Sequence, residues 1–193
     1  MITGLTGYVI FPPAEGGLTP HAVDALAGLW DETRASDALV GSGDATVVDA
    51  AQRRSRVQWI GPDSARDVFS QLFTLAKLAN ERCGWQFELS GMSPALQLTE
   101  YDAARQGHYD WHIDLGRDET ARRKISLVAL LSDPATCSGG HLQLLRARDA
   151  DTLAIERGSV VAFPSYLLHR VTPLFEGTRR SLVGWACGDT PFR

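Results

Sequence analysis

The sequence predicts a mainly β (α+β) fold: a double-sheet jelly roll with N-terminal helices packed on one outer face. Two observations lead to it. From about Trp85 onward, short segments rich in Val, Ile, Leu, Phe, Tyr and Thr alternate with turn residues. Before that point, two stretches place their apolar residues at helical spacing. A length of 193 residues without internal repeats fits one domain over 1–193. Residues 1 to about 84 would be helical support and substrate rim, and about 85–193 the jelly-roll core.

In chain order, Met1 to Phe11 is apolar but has no basic start and no small-residue cleavage site, and Pro12-Pro13 interrupts it, so no signal peptide is read. Thr19 is placed to cap a helix that has Pro20 at its first position. Ala22, Val23, Leu26, Leu29 and Trp30 form its apolar face. A second helix should start at Asp63 or Ser64, bury Val68, Phe69, Leu72, Leu75, Ala76 and Ala79, and end at Gly84. Between them Ala35–Asp49 is rich in Gly, Ser and Asp, which reads as a long exposed loop of the kind that forms lids. The expected strands are Gln86–Leu89, Ala95–Tyr101, Tyr109–Ile113, Lys124–Leu131, His141–Leu145, Ser159–Phe163, Leu168–Val171 and Arg180–Ala186.

Composition is that of an ordinary globular protein, 44 % hydrophobic and 22 % charged. A net charge of −4 gives no bulk drive toward nucleic acid or an anionic membrane. Two clusters, Arg53/Arg54/Arg56 and Arg122/Arg123/Lys124, are candidates for a local basic patch, against the plainer reading of solvated loop ends. The three cysteines, Cys83, Cys137 and Cys187, are odd in number and widely spaced, which suits a reducing cytoplasm and argues against a thiolate metal site. The longest apolar run, Leu127–Leu131, is far too short to span a membrane.

The chemistry rests on four residues. His112 and Asp114 stand two apart, His169 follows about 55 residues later, and Arg179 ten after that. Residues two apart on a strand share a face, so His112 and Asp114 can both point inward. Two imidazoles and a carboxylate are the donor set of the facial triad that holds non-haem Fe(II) with positions left open. An Arg nearby offers a fixed fork to a carboxylate. Of the other histidines, His21 is expected exposed and His141 on a surface strand. His108 shares the strand parity of the metal pair, so a place on the site rim competes with an ordinary surface position.

The match extends beyond these positions. Gln97-Leu98-Thr99-Glu100-Tyr101, Gly107 through Asp114, Arg123-Lys124-Ile125-Ser126-Leu127, Gly139-Gly140-His141-Leu142, Phe163-Pro164-Ser165 and Gly177 through Trp185 resemble consecutive blocks of the iron(II)- and 2-oxoglutarate-dependent dioxygenases. The branch they resemble is the prolyl 4-hydroxylase-like one, and within it the PKHD-type hydroxylases. The resemblance covers roughly residues 50–193.

That resemblance implies a double-stranded β-helix (a cupin-like jelly roll) that uses Fe(II), 2-oxoglutarate and O2, with ascorbate a usual assay addition. His112, Asp114 and His169 would be the iron ligands. Arg179 would pair with the distal carboxylate of 2-oxoglutarate, with Arg180 as the alternative. Tyr101 matches a family tyrosine on the co-substrate, with an ordinary core tyrosine as the competing reading. Ser181 shares the parity of Arg179, and Leu130 stands where some relatives carry a second co-substrate tyrosine. Trp185 is expected to line the pocket and Trp111 to be core. Tyr109 points away by parity yet matches a family position near the site. Halogenase relatives lack the carboxylate that Asp114 supplies, so its presence implies hydroxylation.

The implied substrate is a prolyl or other amino-acid-like group, peptidyl or free, or another small metabolite. Arg54 and Arg56 are expected to contact an acidic group on its rim, beside the Ala35–Asp49 loop and the tail Gly188–Arg193. Competing readings are a non-catalytic jelly-roll binding module, which should lack a triad member or the Arg, and a zinc hydrolase, which leaves Arg179 without a purpose.

Overall fold

A computed structural model describes residues 7–41, 46–146 and 148–192. In chain order the elements are β1 (Val9–Phe11), α1 (Pro20–Ala27), β2 (Ser36–Asp37), β3 (Arg53–Arg54), β4 (Arg56–Ile60), α2 (Pro62–Arg82), β5 (Gly91–Met92) and β6 (Leu96–Asp102). There follow β7 (His108–His112), β8 (Arg123–Leu130), β9 (Ser138–Gly139), β10 (Leu142–Arg146) and β11 (Asp149–Thr152). The last are β12 (Val160–Pro164), β13 (His169–Val171), β14 (Leu174–Glu176) and β15 (Thr178–Cys187). The larger sheet runs β1-β12-β8-β15-β6-β4-β2, with β5 beside the end of β15. The smaller runs β11-β10-β13-β7-β3, and β9 pairs with β14. Two antiparallel sheets with helices on one outer face are the expected jelly roll.

The larger sheet separates two apolar layers because its strands alternate. On β8, Ile125, Leu127 and Ala129 face α1 and α2, together with Leu182 and Ala186 of β15. Val128 faces the other way, toward Leu142, Leu144, Val161 and Phe163 between the sheets. The second helix supplies Val68, Leu72, Leu75, Ala76 and Ala79 to the outer layer, as its spacing predicts, with Phe69 partly buried. It ends at Arg82, and Gly84 takes a left-handed φ of 63° just beyond.

The first helix has the expected cap: the Thr19 hydroxyl accepts from Ala22 N at 3.2 Å, worth about 1 kcal/mol. It stops at Ala27, short of Leu29 and Trp30. There Gln58 of β4 takes over, its amide donating to Leu29 O and accepting from Asp31 N, both at 2.8 Å.

Several expectations are corrected. Strand pairing crosses the division near residue 84, because β1, β3 and β4 join β12, β7 and β6. Gln86–Leu89 is not a strand: the Asn80 side chain bonds both Phe87 N and Phe87 O, taking the groups a ladder would use. The basic clusters are not loop ends. They lie on or beside strands, and alternation buries Arg53 and Lys124. Within Ala35–Asp49, β2 joins β4 and Val40 bridges Val47, while residues 42–45 lie outside the described ones. Among the described residues no helix is long and apolar enough to cross a membrane.

Candidate active site

The register of the smaller sheet brings the two sequence-distant histidines together. β13 pairs with β7 so that His169 stands opposite His112, and their rings are 4.1 Å apart. Asp114 follows two residues on. Its Oδ1 is 3.7 Å from His112 Nε2 and its Oδ2 3.6 Å from His169 Nε2. One ligand atom from each of the three lies within 4.8 Å of the others, a spacing that could hold a metal ion.

The surroundings prepare these groups for a cation. His112 Nδ1 contacts Asp110 O at 2.8 Å and His169 Nδ1 contacts Leu167 O at 2.9 Å. A carbonyl only accepts, so each Nδ1 carries the proton and each Nε2 offers its lone pair to the centre. Burial, then the neighbouring His169, pushes the His112 imidazole down to about 3, which keeps it neutral. Burial alone would raise the Asp114 carboxyl. His169, His112, the Ser126 hydroxyl and Arg123 outweigh it and hold the group below the usual carboxylate range. Asp114 Oδ2 accepts from Ser126 Oγ at 2.6 Å and from Trp185 Nε1 at 3.0 Å. Two imidazoles and an anchored carboxylate are the donor set that suits Fe(II) with open positions.

The triad opens on a cavity of about 670 Å³ between the sheets. Tyr101, Arg179, Ser181 and Trp185 line it with the triad. Arg179 is 3 % exposed, donates to Ser181 Oγ at 3.2 Å and lies 5.5 Å from the Tyr101 ring. Burial pushes its guanidinium below its usual value. Arg180 faces away and binds Glu100 at 2.7 and 2.8 Å, so only Arg179 reaches the cavity.

Other placements depart from the sequence reading. Tyr109 is in the cavity, its ring stacked 3.4 Å from that of His112. Burial pushes its hydroxyl up to about 12, so it stays a donor. Trp111 is not core: it lies half-buried on the outer face, under the Arg170 guanidinium. His108 is off the cavity and bonds Gln106 O and Ala51 O. His21 and His141 are exposed, as the sequence predicts.

Arg54 and Arg56 also lie off the cavity. Arg54 bonds Ala50 O and Gln106 Oε1, and Arg56 pairs with Glu32. The strand parity that turns them out turns Arg53 in. The tail does not cap the opening: Phe192 packs on Phe87 at 5.1 Å and Tyr166 at 5.4 Å, and Arg193 lies outside the described residues. Leu39, Val40 and Thr46 of the Ala35–Asp49 segment do line the cavity.

Sequence reasoning missed Ser126, Arg123 and Arg53. Arg123 lies 3.6 Å over the Trp185 ring and donates to Asp114 O at 3.2 Å. The signal for Ser126 was available: a lone hydroxyl inside the apolar run Ile125–Leu130, on the face it shares with Val128.

Comparison with known proteins agrees with this geometry. Residues 96–187 match the model of the 2OG-Fe(II) oxygenase superfamily. A PKHD-type hydroxylase of Synechococcus sp. (strain CC9605) is 37 % identical over 78 residues, which are 40 % of this chain and 35 % of that protein. One from Hyphomonas neptunium is 37 % identical over 81 residues, 40 % of this chain and 36 % of its own. The matched segment thus spans little more than a third of these relatives. Among solved structures, a Pseudomonas putida prolyl-4-hydroxylase has a TM-score of 0.71 at 23 % identity, covering 95 % of this chain and 94 % of its own. A Trichoplax adhaerens prolyl hydroxylase, solved with a hypoxia inducible factor peptide fragment, has a TM-score of 0.75 at 19 % identity, covering 95 % and 84 %. At those identities the structures speak for the jelly-roll fold. The family model and the curated relatives add a likeness in sequence: residues 96–187 are similar to the 2OG-Fe(II) oxygenase superfamily, and the curated relatives matched over part of their length are PKHD-type hydroxylases.

Proposed function

We propose that this protein is an Fe(II)- and 2-oxoglutarate-dependent dioxygenase. It would hydroxylate an unactivated C–H bond of a prolyl or other amino-acid-like substrate and release succinate and CO2. The observation that carries the reading is the joint opening of the His112/Asp114/His169 triad and the buried Arg179 onto one cavity.

His112 Nε2, His169 Nε2 and one Asp114 oxygen would hold the metal. Once bound, iron with its co-substrate supplies the oxygen-activating chemistry. The chain's own residues do the rest. Arg179, with the Ser181 hydroxyl beside it, would receive the far carboxylate of 2-oxoglutarate and fix its orientation. The Tyr101 hydroxyl would donate to the same molecule. Ser126 and Trp185 hold Asp114 in place through its Oδ2, leaving Oδ1 free to face the metal. Tyr109 would present a hydroxyl donor beside His112. Leu39, Val40 and Thr46 would form part of the rim that receives substrate and excludes water.

The test is succinate release from 2-oxoglutarate under air with Fe(II), ascorbate present, for the wild type and Asp114→Ala. Metal-dependent succinate that disappears in the variant supports the reading. Should the wild type release none without its substrate, 2-oxoglutarate binding is measured with metal present. No binding there sinks the proposal and leaves the jelly roll as a binding module.

A further inference from the structure

Arg53 is a buried cation on the same cavity, apart from the residues proposed above to hold the metal and the co-substrate. It is 8 % exposed. Its Nε donates to Ser55 Oγ at 2.7 Å and Nη2 donates to Gln97 Oε1 at 3.0 Å. Its guanidinium lies 4.4 Å from the Tyr109 ring centroid, and that ring is stacked on His112. Every one of these partners is neutral. Among the described residues no carboxylate lies within 4.0 Å of it, and nothing accepts from its second terminal nitrogen, Nη1. Ser55 and Gln97 therefore fix the fork and leave Nη1 and the second hydrogen of Nη2 for a ligand. A buried guanidinium without a counter-ion is costly, so a site that keeps one is built for an anion.

The charges around the cavity say the same. Its lining carries Arg53, Arg123 and Arg179 against Asp37 and Asp114. Asp37 is already paired with Arg105 at 2.6 Å. A divalent cation and a doubly charged 2-oxoglutarate offset each other, and Asp114 offsets one guanidinium. Two positive charges are left for the substrate to meet.

We propose that Arg53 anchors a carboxylate of the primary substrate through the free end of its fork, so that the enzyme takes an anionic, carboxylate-bearing substrate in preference to a neutral one. This rests on the dioxygenase reading of the cavity. The carboxylate belongs either to a free or C-terminal residue or to an acidic side chain next to the hydroxylated residue. The chemistry at Arg53 is the same in both, planar and bidentate.

The test uses the full chain loaded with Mn(II) and saturated with 2-oxoglutarate, titrated calorimetrically with two matched pairs of probes. One pair is N-acetyl-L-proline and N-acetyl-L-prolinamide. The other is N-acetyl-Pro-Asp-amide and N-acetyl-Pro-Asn-amide. In at least one pair the charged member should bind roughly tenfold tighter than its neutral twin, and the pair that does so identifies the source of the carboxylate. Arg53→Gln should erase the difference while 2-oxoglutarate still binds as in the wild type. If Arg53→Gln loses its cooperative melt, Arg53→Lys carries the test: the charged probe should weaken several-fold and the neutral one stay unchanged. A wild type with no charge preference in either pair, weak or absent binding of all four included, overturns the proposal. So does a folded Arg53→Gln that keeps the preference, or Arg53→Lys binding all probes as the wild type does. Failure of the wild type to bind 2-oxoglutarate is a separate result, which removes the dioxygenase reading itself and this proposal with it.

Discussion

The Tyr109 ring lies on the His112 imidazole, 3.4 Å between centroids and 13° from parallel. Strict alternation would put residues three apart on opposite faces of β7. The contact exists because the pairing with β13 shifts: His169 stands opposite His112, but Val171 stands opposite Tyr109. The extra residue on β7 is a bulge, and bulges re-aim side chains beside active sites. The stack fixes the plane of an imidazole proposed to hold the metal. Tyr109→Ala should therefore weaken Mn(II) binding by roughly two- to tenfold, the range an aromatic pair is worth. Tyr109→Phe keeps the ring and should stay within about twofold. Calorimetric metal titration compares them, and an equal loss in both variants would put the effect on the hydroxyl.

Asp114 is held by a hydroxyl the sequence reading passed over. Ser126 Oγ donates to Asp114 Oδ2 at 2.6 Å and lies 3.0 Å from Ser165 Oγ. Groups that orient a ligating carboxylate typically change metal affinity about 10- to 100-fold when removed. Ser126→Ala should fall in that range while the protein melts as a cooperative unit. Metal affinity equal to the wild type would show that Trp185 Nε1 alone positions the carboxylate.

Gly140 is tied to Arg179. Its φ is +64°, and a Cβ there would meet Arg179 Cδ at 2.9 Å and Leu174 Cδ1 at 2.8 Å. Gly140→Ala should displace the guanidinium, lower 2-oxoglutarate affinity and cost about 1–3 kcal/mol of stability from the backbone strain and crowding together. Gly91→Ala is the control, since a Cβ there meets nothing within 4 Å. Paired denaturant melts and 2-oxoglutarate titrations test it. Stability lost with co-substrate affinity unchanged would mean that Arg179 tolerates the shift.

The sequence made legible what depends on regular periodicity. The α2 face, the inward set Arg179, Ser181 and Trp185 on β15, and the outward turn of Arg180 all follow from counting residues along one element. Spatial meeting of His112 with His169 was readable only through family spacing, because strand order is a tertiary fact. Three kinds of feature were hidden. The bulge in β7 put Tyr109 and His112 on one side and left His108 on the other, which no fixed parity allows. β3 and the start of β4 were masked by their charge: Arg53, Arg54 and Arg56 look like a solvated run, and only pairing with β7 and β6 shows which of them turns inward. Gln86–Leu89 has strand composition, but the Asn80 amide takes its hydrogen bonds.

Two leucines separate stability from substrate binding. Leu127 is 1 % exposed on the helix-facing side of β8, packed in the layer that α2 covers. Truncating such a residue leaves a cavity in close-packed surroundings and costs about 2–5 kcal/mol. It lies on the opposite face of β8 from Ser126, so the groups around Asp114 keep their places. Leu127→Ala should lower the denaturant midpoint strongly and leave metal and 2-oxoglutarate affinities within about twofold. Leu39 is 52 % exposed and lines the cavity from the Ala35–Asp49 segment. Its removal takes little apolar area out of the core, so Leu39→Ala should change stability by no more than about 0.5 kcal/mol. Its effect should appear instead in binding of the N-acetyl-prolyl probes to the metal- and 2-oxoglutarate-loaded protein. A Leu39→Ala variant with unchanged probe affinity would remove this segment from the substrate rim and leave the cavity walls on β4, β6 and β7 to select the substrate.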